Sequence, residues 1–222
     1  AAMIELDHLV AGYERLAITP ALCGTLARGS MTAIVGANGC GKSTLLKTLA
    51  GFLPPVSGVL RWQGARPTIG WLAQRHALEA QFPLTVQEVV SMGCWPRISL
   101  FAGLNRDARK RVAQGLERVG LAEMAGETID TLSGGQFQRM LFARIWVQNA
   151  PLVMLDEPFT GIDEATSQLL MEQMVDMHRA GQTLLAVLHD SARVTRYFPQ
   201  TLRLDEKRAQ WGATLSLEEN CA

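Results

Sequence analysis

The sequence predicts an α/β fold with a mostly parallel sheet, an additional antiparallel β layer and a helical subdomain. Three observations support this prediction. The apolar run Met31–Val35 is followed by a Gly-rich stretch and a helix-forming run, which is the order of a strand, a loop and a helix. Apolar runs of strand length, Leu152–Leu155 and Thr183–Leu188, alternate with helical segments in the second half, a pattern typical of parallel crossovers. Several short β segments within residues 3–35 predict the antiparallel layer.

Length and composition narrow the possible classes of protein. The 222 residues, 48% of them hydrophobic, can bury a sizeable core, and we interpret residues 1–222 as a single domain with residues 85–135 forming its helical subdomain. Basic and acidic residues balance at 21 each, so the charge provides no argument for a nucleic-acid partner, and none is expected. No apolar run approaches the roughly 18 residues of a membrane span, and the first residues do not resemble a signal peptide. The sequence therefore predicts a cytosolic protein.

The strand–loop–helix unit contains a phosphate-loop pattern, G-x-x-x-x-G-K-[ST]. Its residues are Gly36, Ala37, Asn38, Gly39, Cys40, Gly41, Lys42, Ser43 and Thr44. Glycines let backbone N–H groups crowd around phosphate oxygens, and the helix that follows directs the positive end of its dipole at them. We expect Lys42 to reach the outer phosphates and the Ser43 hydroxyl to ligate magnesium. An ordinary Gly-rich turn is the alternative, which the flanking strand and helix disfavour.

A second motif follows the apolar run Leu152–Leu155 with the acidic pair Asp156 and Glu157. A central strand of this kind delivers carboxylates to its C-terminal edge, where ligands bind in α/β sheets. Asp156 is then placed to hold the hydration shell of magnesium, and Glu157 to polarise an attacking water as general base. Adjacent acids after a strand are often only a solvated turn, but the phosphate loop makes that alternative weak here.

A third motif is Leu132–Gln136, with the sequence L-S-G-G-Q. Ser133 and the two following glycines open a predicted helix, so free N–H groups and the serine hydroxyl are available for an anion. Ser133 is also a favoured residue for a plain helix N-cap. The two interpretations are compatible, and the sequence leaves both open.

A phosphate loop, then L-S-G-G-Q, then a strand ending in D-E-P resembles the nucleotide-binding subunits of ABC transporters over nearly the whole chain. The resemblance implies a phosphate-loop NTPase core that binds ATP with magnesium. It also implies a second ATPase subunit, with the chain forming a homodimer in which each phosphate loop faces the signature of the other subunit. The signature residues that would then grip the partner's γ-phosphate are Ser133, Gly134, Gly135 and Gln136. By this resemblance a lone chain hydrolyses ATP poorly.

The resemblance to this family extends to single residues outside the three motifs. Tyr13 is similar to the aromatic residue that stacks on adenine, although a core tyrosine is the alternative. Gln74 resembles the glutamine that senses magnesium and contacts the membrane subunit. Asp163 matches a residue of the loop that signals between subunits, whereas the preceding Gly161 and Ile162 depart from the usual Ala-Leu pair.

His189 follows an apolar strand and resembles the switch histidine that contacts the γ-phosphate. The resemblance therefore groups His189 and Lys42 with Glu157 as the catalytic residues. The same resemblance implies that magnesium is held by Ser43, Gln74 and Asp156. No other metal is expected, because the histidines and cysteines form no spaced ligand cluster. These are His8, His76, His178, His189, Cys23, Cys40, Cys94 and Cys221.

The segment Gln81–Gly93 resembles one found in importers of metal ions. It implies that ATP hydrolysis drives uptake of a divalent ion, foremost zinc or manganese, through a permease that contacts the region Gln74–Val90. It also implies an extracytoplasmic metal-binding protein and a peripheral position on the cytoplasmic face of the membrane. Two alternatives stay open, namely an ATPase of siderophore or haem import and a soluble ABC ATPase of iron–sulfur cluster assembly.

Two surface features complete the sequence-based expectations. A basic cluster in the helical segment Asn105–Gly120 is interpreted as a solvated helix surface, with a docking patch as the alternative. Its members are Arg106, Arg109, Lys110 and Arg111. Cys40, close to the start of the helix after the phosphate loop, is expected to have a reactive thiol.

Overall fold

A computed structural model describes residues 1–73, 83–94 and 105–219 and is organised around a six-stranded sheet. In spatial order its strands are β11 (Ala209–Ala213), β10 (Gln200–Leu204), β5 (Met31–Gly36), β9 (Thr183–Val187), β8 (Leu152–Asp156) and β7 (Ile69–Leu72). The five strands from β10 to β7 are parallel, and only β11 pairs antiparallel. Because β9 lies between β5 and β8, the ends of these three strands meet at one edge of the sheet.

The central strands are buried on both faces, as expected of a parallel sheet covered by other layers. Along β8, Val153 and Leu155 pack into one hydrophobic cluster, whereas Leu152 and Met154 pack into a second cluster on the opposite face. All four are fully buried. Each such side chain contributes about 1.5–3 kcal/mol relative to an exposed one, so β8 is firmly held at the centre of the sheet.

A smaller antiparallel sheet covers the second cluster. Its strands are β4 (Leu22–Ala27), β1 (Ala2–Val10) and β6 (Ser57–Trp62), and a two-stranded ribbon follows β1, made of β2 (Gly12–Tyr13) and β3 (Leu16–Ala17). The pairing of β1 with β4 shifts register between Leu6 and Leu9, where His8 has a φ of 50°. This irregularity is a β-bulge, which places Asp7 and His8 both at the exposed surface.

The helices divide between the two faces of the large sheet. They are α1 (Lys42–Leu49), α2 (Val86–Ser91), α3 (Arg106–Arg118), α4 (Gly134–Gln148), α5 (Glu164–Arg179), α6 (Ser191–Tyr197) and α7 (Thr214–Glu219). Short 3-10 segments lie at Met92–Cys94, Ala122–Met124 and Ile129–Thr131. Among the described residues, no helix combines the length and apolarity that a bilayer crossing requires.

Helices α2, α3 and α4 pack against one another. Thr85 begins α2 with a capping box that includes Glu88, as its S/T-x-x-E sequence predicts. Helix α3 approaches α4 at Gly115, where a Cβ atom would lie 2.9 Å from a methyl group of Val147. Arg111 donates hydrogen bonds from α3 to the carbonyls of Trp146 and Val147 at 2.6 and 3.0 Å. The interpretation of the basic cluster as a solvated surface is therefore wrong for Arg111, which fastens α3 to α4.

The predicted fold class is confirmed, including the antiparallel layer. Two details differ from the sequence-based expectation. Helix α1 begins at Lys42, three residues before the predicted helix-forming run Leu45–Ala50, because Gly41 takes a left-handed conformation and allows the chain to turn directly into the helix. The short helices α6 and α7 were not predicted. The division into one domain with a helical subdomain at residues 85–135 stays a prediction.

Candidate functional site

The phosphate loop lies at the edge where β5, β9 and β8 end. It leaves β5 at Gly36 and enters α1 at Lys42, so the N-terminal N–H groups of α1 point into the space above the sheet. Gly41 has a φ of 96°, and a Cβ atom there would lie 2.8 Å from Cγ2 of Ile18 and 2.9 Å from Cγ2 of Thr19. Glycine is thus required at this position for both its conformation and its close packing.

Lys42 is almost entirely buried, with 6% of its surface exposed. Its ammonium group donates hydrogen bonds to the carbonyls of Gly36, at 2.5 Å, and Ala37, at 3.2 Å. These contacts hold the positive charge inside the curve of the loop. A lysine held there supplies a localised positive charge for phosphate oxygens.

Ser43 and Asp156 form the polar centre beneath the loop. The Ser43 hydroxyl donates a hydrogen bond to Oδ1 of Asp156 at 3.0 Å, and Asp156 is 2% exposed. Burial raises the pKa of Asp156 above its ordinary value, the hydrogen bond from Ser43 opposes this, and the neighbouring charge of Glu157 adds to it. A hydroxyl and a carboxylate oxygen are donors that magnesium prefers, so the two residues fit a magnesium site. The third predicted magnesium residue, Gln74, lies outside the described residues.

Glu157 follows β8 in a strained backbone conformation, with a φ of 50°. Its N–H donates to the carbonyl of Val187 at 3.0 Å, which ties it to the end of β9. Nε2 of His189 contacts Oε1 of Glu157 in a short hydrogen bond. A carboxylate oriented by a second side chain is the arrangement expected of a general base.

The phosphate loop, Glu157 and His189 line one cleft of about 820 Å³. Its lining residues are Ile18, Asn38, Gly39, Gly41, Lys42, Ser43, Thr44, Glu157, Thr160 and His189. The sequence did not indicate Ile18 or Thr160, which carry no motif of their own. Tyr13 is 44% exposed and is not among the lining residues, so its stacking on adenine stays a prediction.

The signature residues lie apart from this cleft. The Ser133 hydroxyl accepts a hydrogen bond from the N–H of Gln136 at 3.2 Å, and Oε1 of Gln136 accepts one from the N–H of Ser133 at 2.9 Å. The N-cap interpretation of Ser133 is therefore correct within this chain. None of the four signature residues is among the residues that line the cleft.

The signature is in direct contact with the Asp163 loop. A Cβ atom at Gly135 would lie 3.1 Å from Oδ1 of Asp163 and 3.3 Å from Oγ1 of Thr166. Asp163 caps α5 by accepting a hydrogen bond from the N–H of Thr166 at 3.0 Å. Arg139 donates to the Thr166 hydroxyl at 2.9 Å, which joins α4 and α5 at this end.

Two further expectations have a partial outcome. Cys40 is 5% exposed and packs in the cluster beneath the antiparallel sheet, so a reagent has restricted access to the thiol that the sequence predicts to be reactive.

The part of the importer-like segment before Pro83 lies outside the described residues. The remainder contains α2, in which Val86, Val89 and Val90 are fully buried.

Comparisons with known proteins agree with this geometry. The family model described as "ABC transporter" matches residues 21–160. The chain is 35% identical over 218 residues to the zinc transport system ATP-binding protein TroB of Treponema pallidum, covering 96% of this chain and 82% of that protein. It is 34% identical over 216 residues to the manganese transport system ATP-binding protein MntB of Bacillus subtilis, covering 95% and 86%. A solved structure described as an inward-facing ABC transporter of the metal-chelate type has 27% identity and a TM-score of 0.84, covering 97% of this chain and 85% of that one.

Proposed function

Because the chain belongs to the ABC transporter family, as an ATP-binding subunit whose ATPase activity is coupled to transport, we propose that it drives uptake of zinc or manganese through a partner permease. The observation that carries the proposal is similarity to named zinc and manganese transport ATPases along 95–96% of the chain. The importer-like segment Gln81–Gly93 supports the same direction of transport.

The cleft supports a mechanism in which three sets of groups act on ATP. Lys42 and the N–H groups of the phosphate loop bind and orient the phosphates. Glu157 accepts a proton from the attacking water, and His189 orients the Glu157 carboxylate through their shared hydrogen bond. Ser43 and Asp156 would hold magnesium, and the bound ion would neutralise part of the phosphate charge.

The separation of the signature from the cleft supports action as a dimer. Ser133 is exposed at the N-terminus of a 15-residue helix, which presents N–H groups and a positive dipole end to a partner molecule. We place there the phosphates of the nucleotide that a second chain binds. Each bound nucleotide is then covered by Ser133–Gln136 of the other subunit. Closure and reopening of the dimer then move the permease, whose contact we place near Gln74–Val90, on the cytoplasmic side of the membrane.

A second candidate is uptake of a chelated metal, such as a siderophore complex or haem. It is favoured by the likeness to the metal-chelate type transporter. A chelate and a bare ion differ in the permease and the extracytoplasmic binding protein that recognise them. Both candidates use the same ATP site, so only the cargo separates them.

Uptake measurements in cells that lack this chain test the proposal. Radioactive zinc, manganese, iron(II) and a ferric chelate are assayed side by side, with complementation by the unaltered chain and by Lys42→Ala. We expect the loss of zinc or manganese uptake alone, restored by the unaltered chain but not by Lys42→Ala at matched expression. Loss of ferric-chelate uptake alone would establish the second candidate, and unchanged uptake of all four would contradict both.

A further inference from the structure

Three side chains of different metal-ligating types meet on the antiparallel sheet, apart from the ATP cleft. They are Asp7 and His8 on β1 and Cys23 on β4, and one ligand atom from each lies within 4.8 Å of the other two. Among the residues that the structure describes, this is the only such group of His, Cys, Asp and Glu. The sequence indicated no such cluster, because His8 and Cys23 are 15 positions apart and lie on different strands.

The β-bulge in β1 is what assembles the group. In a regular strand Asp7 and His8 would project to opposite faces. The register shift between Leu6 and Leu9, together with the left-handed conformation of His8, leaves both side chains exposed between two buried leucines. The N–H of His8 also donates to Sγ of Cys23 at 3.3 Å, which holds the bulge against β4. A bulge that re-aims a side chain in this way is a feature often found beside functional sites.

The distances suit an ion of zinc size. With metal–ligand bonds of about 2.0–2.3 Å, the ligand atoms of a tetrahedral site are roughly 3.5 Å apart. The ligand atoms of Asp7, His8 and Cys23 lie within 4.8 Å of one another, and small rotations of these exposed side chains bring them to that spacing. Nδ1–H of His8 donates a hydrogen bond to Oδ1 of Asp7 at 2.6 Å, so two of the three ligand groups are already adjacent. Asp7 also lies 3.9 Å from the Arg61 guanidinium, an exposed pair that is weak and easily broken.

From this arrangement we propose that Asp7, His8 and Cys23 bind one divalent transition-metal ion of the zinc class. A thiolate and an imidazole select zinc, cobalt or a similar ion over magnesium, calcium and manganese, which prefer oxygen donors. Binding displaces the thiol proton of Cys23 to solvent, since the thiolate is the ligand.

The exposure of the group defines the kind of site. The side chains of His8 and Asp7 are 76% and 50% exposed, and three protein ligands leave a fourth position to water. Structural zinc sites are closed by four protein ligands, so this one exchanges its ion with the surrounding solution. The site is independent of which ion the permease carries.

Cobalt(II) binding tests the site, because a cysteine ligand produces a thiolate-to-cobalt charge-transfer absorption that oxygen and nitrogen ligands do not. The probe is cobalt chloride, added to the nucleotide-free full chain after removal of metals by a chelator. We expect one equivalent of cobalt to develop this absorption and zinc to displace it. Cys23→Ser should abolish the absorption, and His8→Asn, which keeps a residue tolerant of the left-handed conformation, should weaken cobalt binding about 10- to 100-fold.

Cys94→Ser provides the matched control, since Cys94 is a half-buried cysteine that packs against the cluster on the opposite face of the large sheet. It should keep the absorption in full. Circular dichroism checks that every variant is folded. Absence of the absorption in the unaltered chain, or its persistence in Cys23→Ser, would overturn the proposal.

Discussion

His189 and Glu157 come from neighbouring strands, and their side chains share a hydrogen bond at the mouth of the cleft. The contact joins the ends of β9 and β8, which are also joined by the hydrogen bond between the Glu157 N–H and the Val187 carbonyl. Glu157 is therefore held by both its backbone and its side chain. Such a position suits a base that must meet a water molecule in one orientation.

We expect Glu157→Gln to reduce ATP turnover by about 10²- to 10⁴-fold while leaving ATP binding intact, because the amide cannot accept a proton from water. Turnover is measured by phosphate release, and binding by displacement of a fluorescent nucleotide. The exposed Glu172 on α5 provides the control, and Glu172→Gln should retain full turnover. Near-normal turnover in Glu157→Gln would remove Glu157 from the role of base.

Asp163→Asn should make the chain less stable at neutral pH but not at low pH. Hydrogen bonds from the backbone N–H and the side chain of Thr166 lower the pKa of Asp163, with a smaller contribution from the charge of Arg139. A lowered pKa means that ionised Asp163 stabilises the folded state above the unfolded value of about 4, and that this contribution is lost as the pH falls through the folded value.

The measurement is the difference in Tm between Asp163→Asn and the unaltered chain across pH. The difference should be largest near pH 7 and shrink from about pH 5 to about pH 3. Asp130→Asn, at another exposed aspartate, serves as the control and should show a smaller dependence. A Tm difference that is constant with pH would contradict the assignment of the effect to ionised Asp163.

Arg111→Ala should lower the free energy of unfolding by about 1–3 kcal/mol, because a charged donor to two backbone carbonyls is lost. The guanidinium also lies 4.0 Å from the ring centroid of Trp146. Arg111→Lys should be similarly destabilising, since an ammonium cannot reproduce the planar stack or the two-pronged hydrogen bonding. Urea unfolding measures both, and Lys110→Ala, at the exposed neighbour, should be close to neutral. Full stability of Arg111→Lys would show that charge alone suffices.

Arg193→Met should destabilise the chain by about 1–2 kcal/mol and lower ATP turnover several-fold. Arg193 pairs with Asp190 at 2.6 Å and with Glu164 at 2.5 Å, so it connects the segment after His189 to the start of α5. Glu164 is exposed and Asp190 is half-buried, so each pair is worth up to about 1 kcal/mol. Urea unfolding and phosphate release measure the two effects. Arg196→Met, on the same helix, is the control, and equal effects at both positions would contradict a specific role of Arg193.

Local patterns predicted most of the large sheet and the centre of the site. Two of the signals are local, namely the glycine spacing in the phosphate loop and the apolar run before Asp156. Each reflects the conformation that one short segment must adopt, without reference to distant residues. The start of α4 agrees with the sequence-based prediction, since Ser133 caps the helix that the following glycines open. Element order then placed the ends of β5, β8 and β9 together.

The features that were missed depend on contacts between distant segments. Helix α6 has seven residues, too few to show a helical period, and its Asp190 cap becomes decisive only in the presence of Arg193. Ile18 lines the cleft because the segment directly after β3 packs against Gly41, which no property of isoleucine indicates. The meeting of His8 and Cys23 depends on a bulge whose position follows from strand pairing rather than from side-chain type.

The distance between the signature and the cleft also has a kinetic consequence. If each ATP is completed only by Ser133–Gln136 of another subunit, hydrolysis in dilute solution is second order in the chain. Specific activity should then rise in proportion to protein concentration until the dimer saturates. A mixture of two inactive chains, one altered in the phosphate loop and one in the signature, should recover activity, because one composite site in the mixed dimer keeps both intact halves.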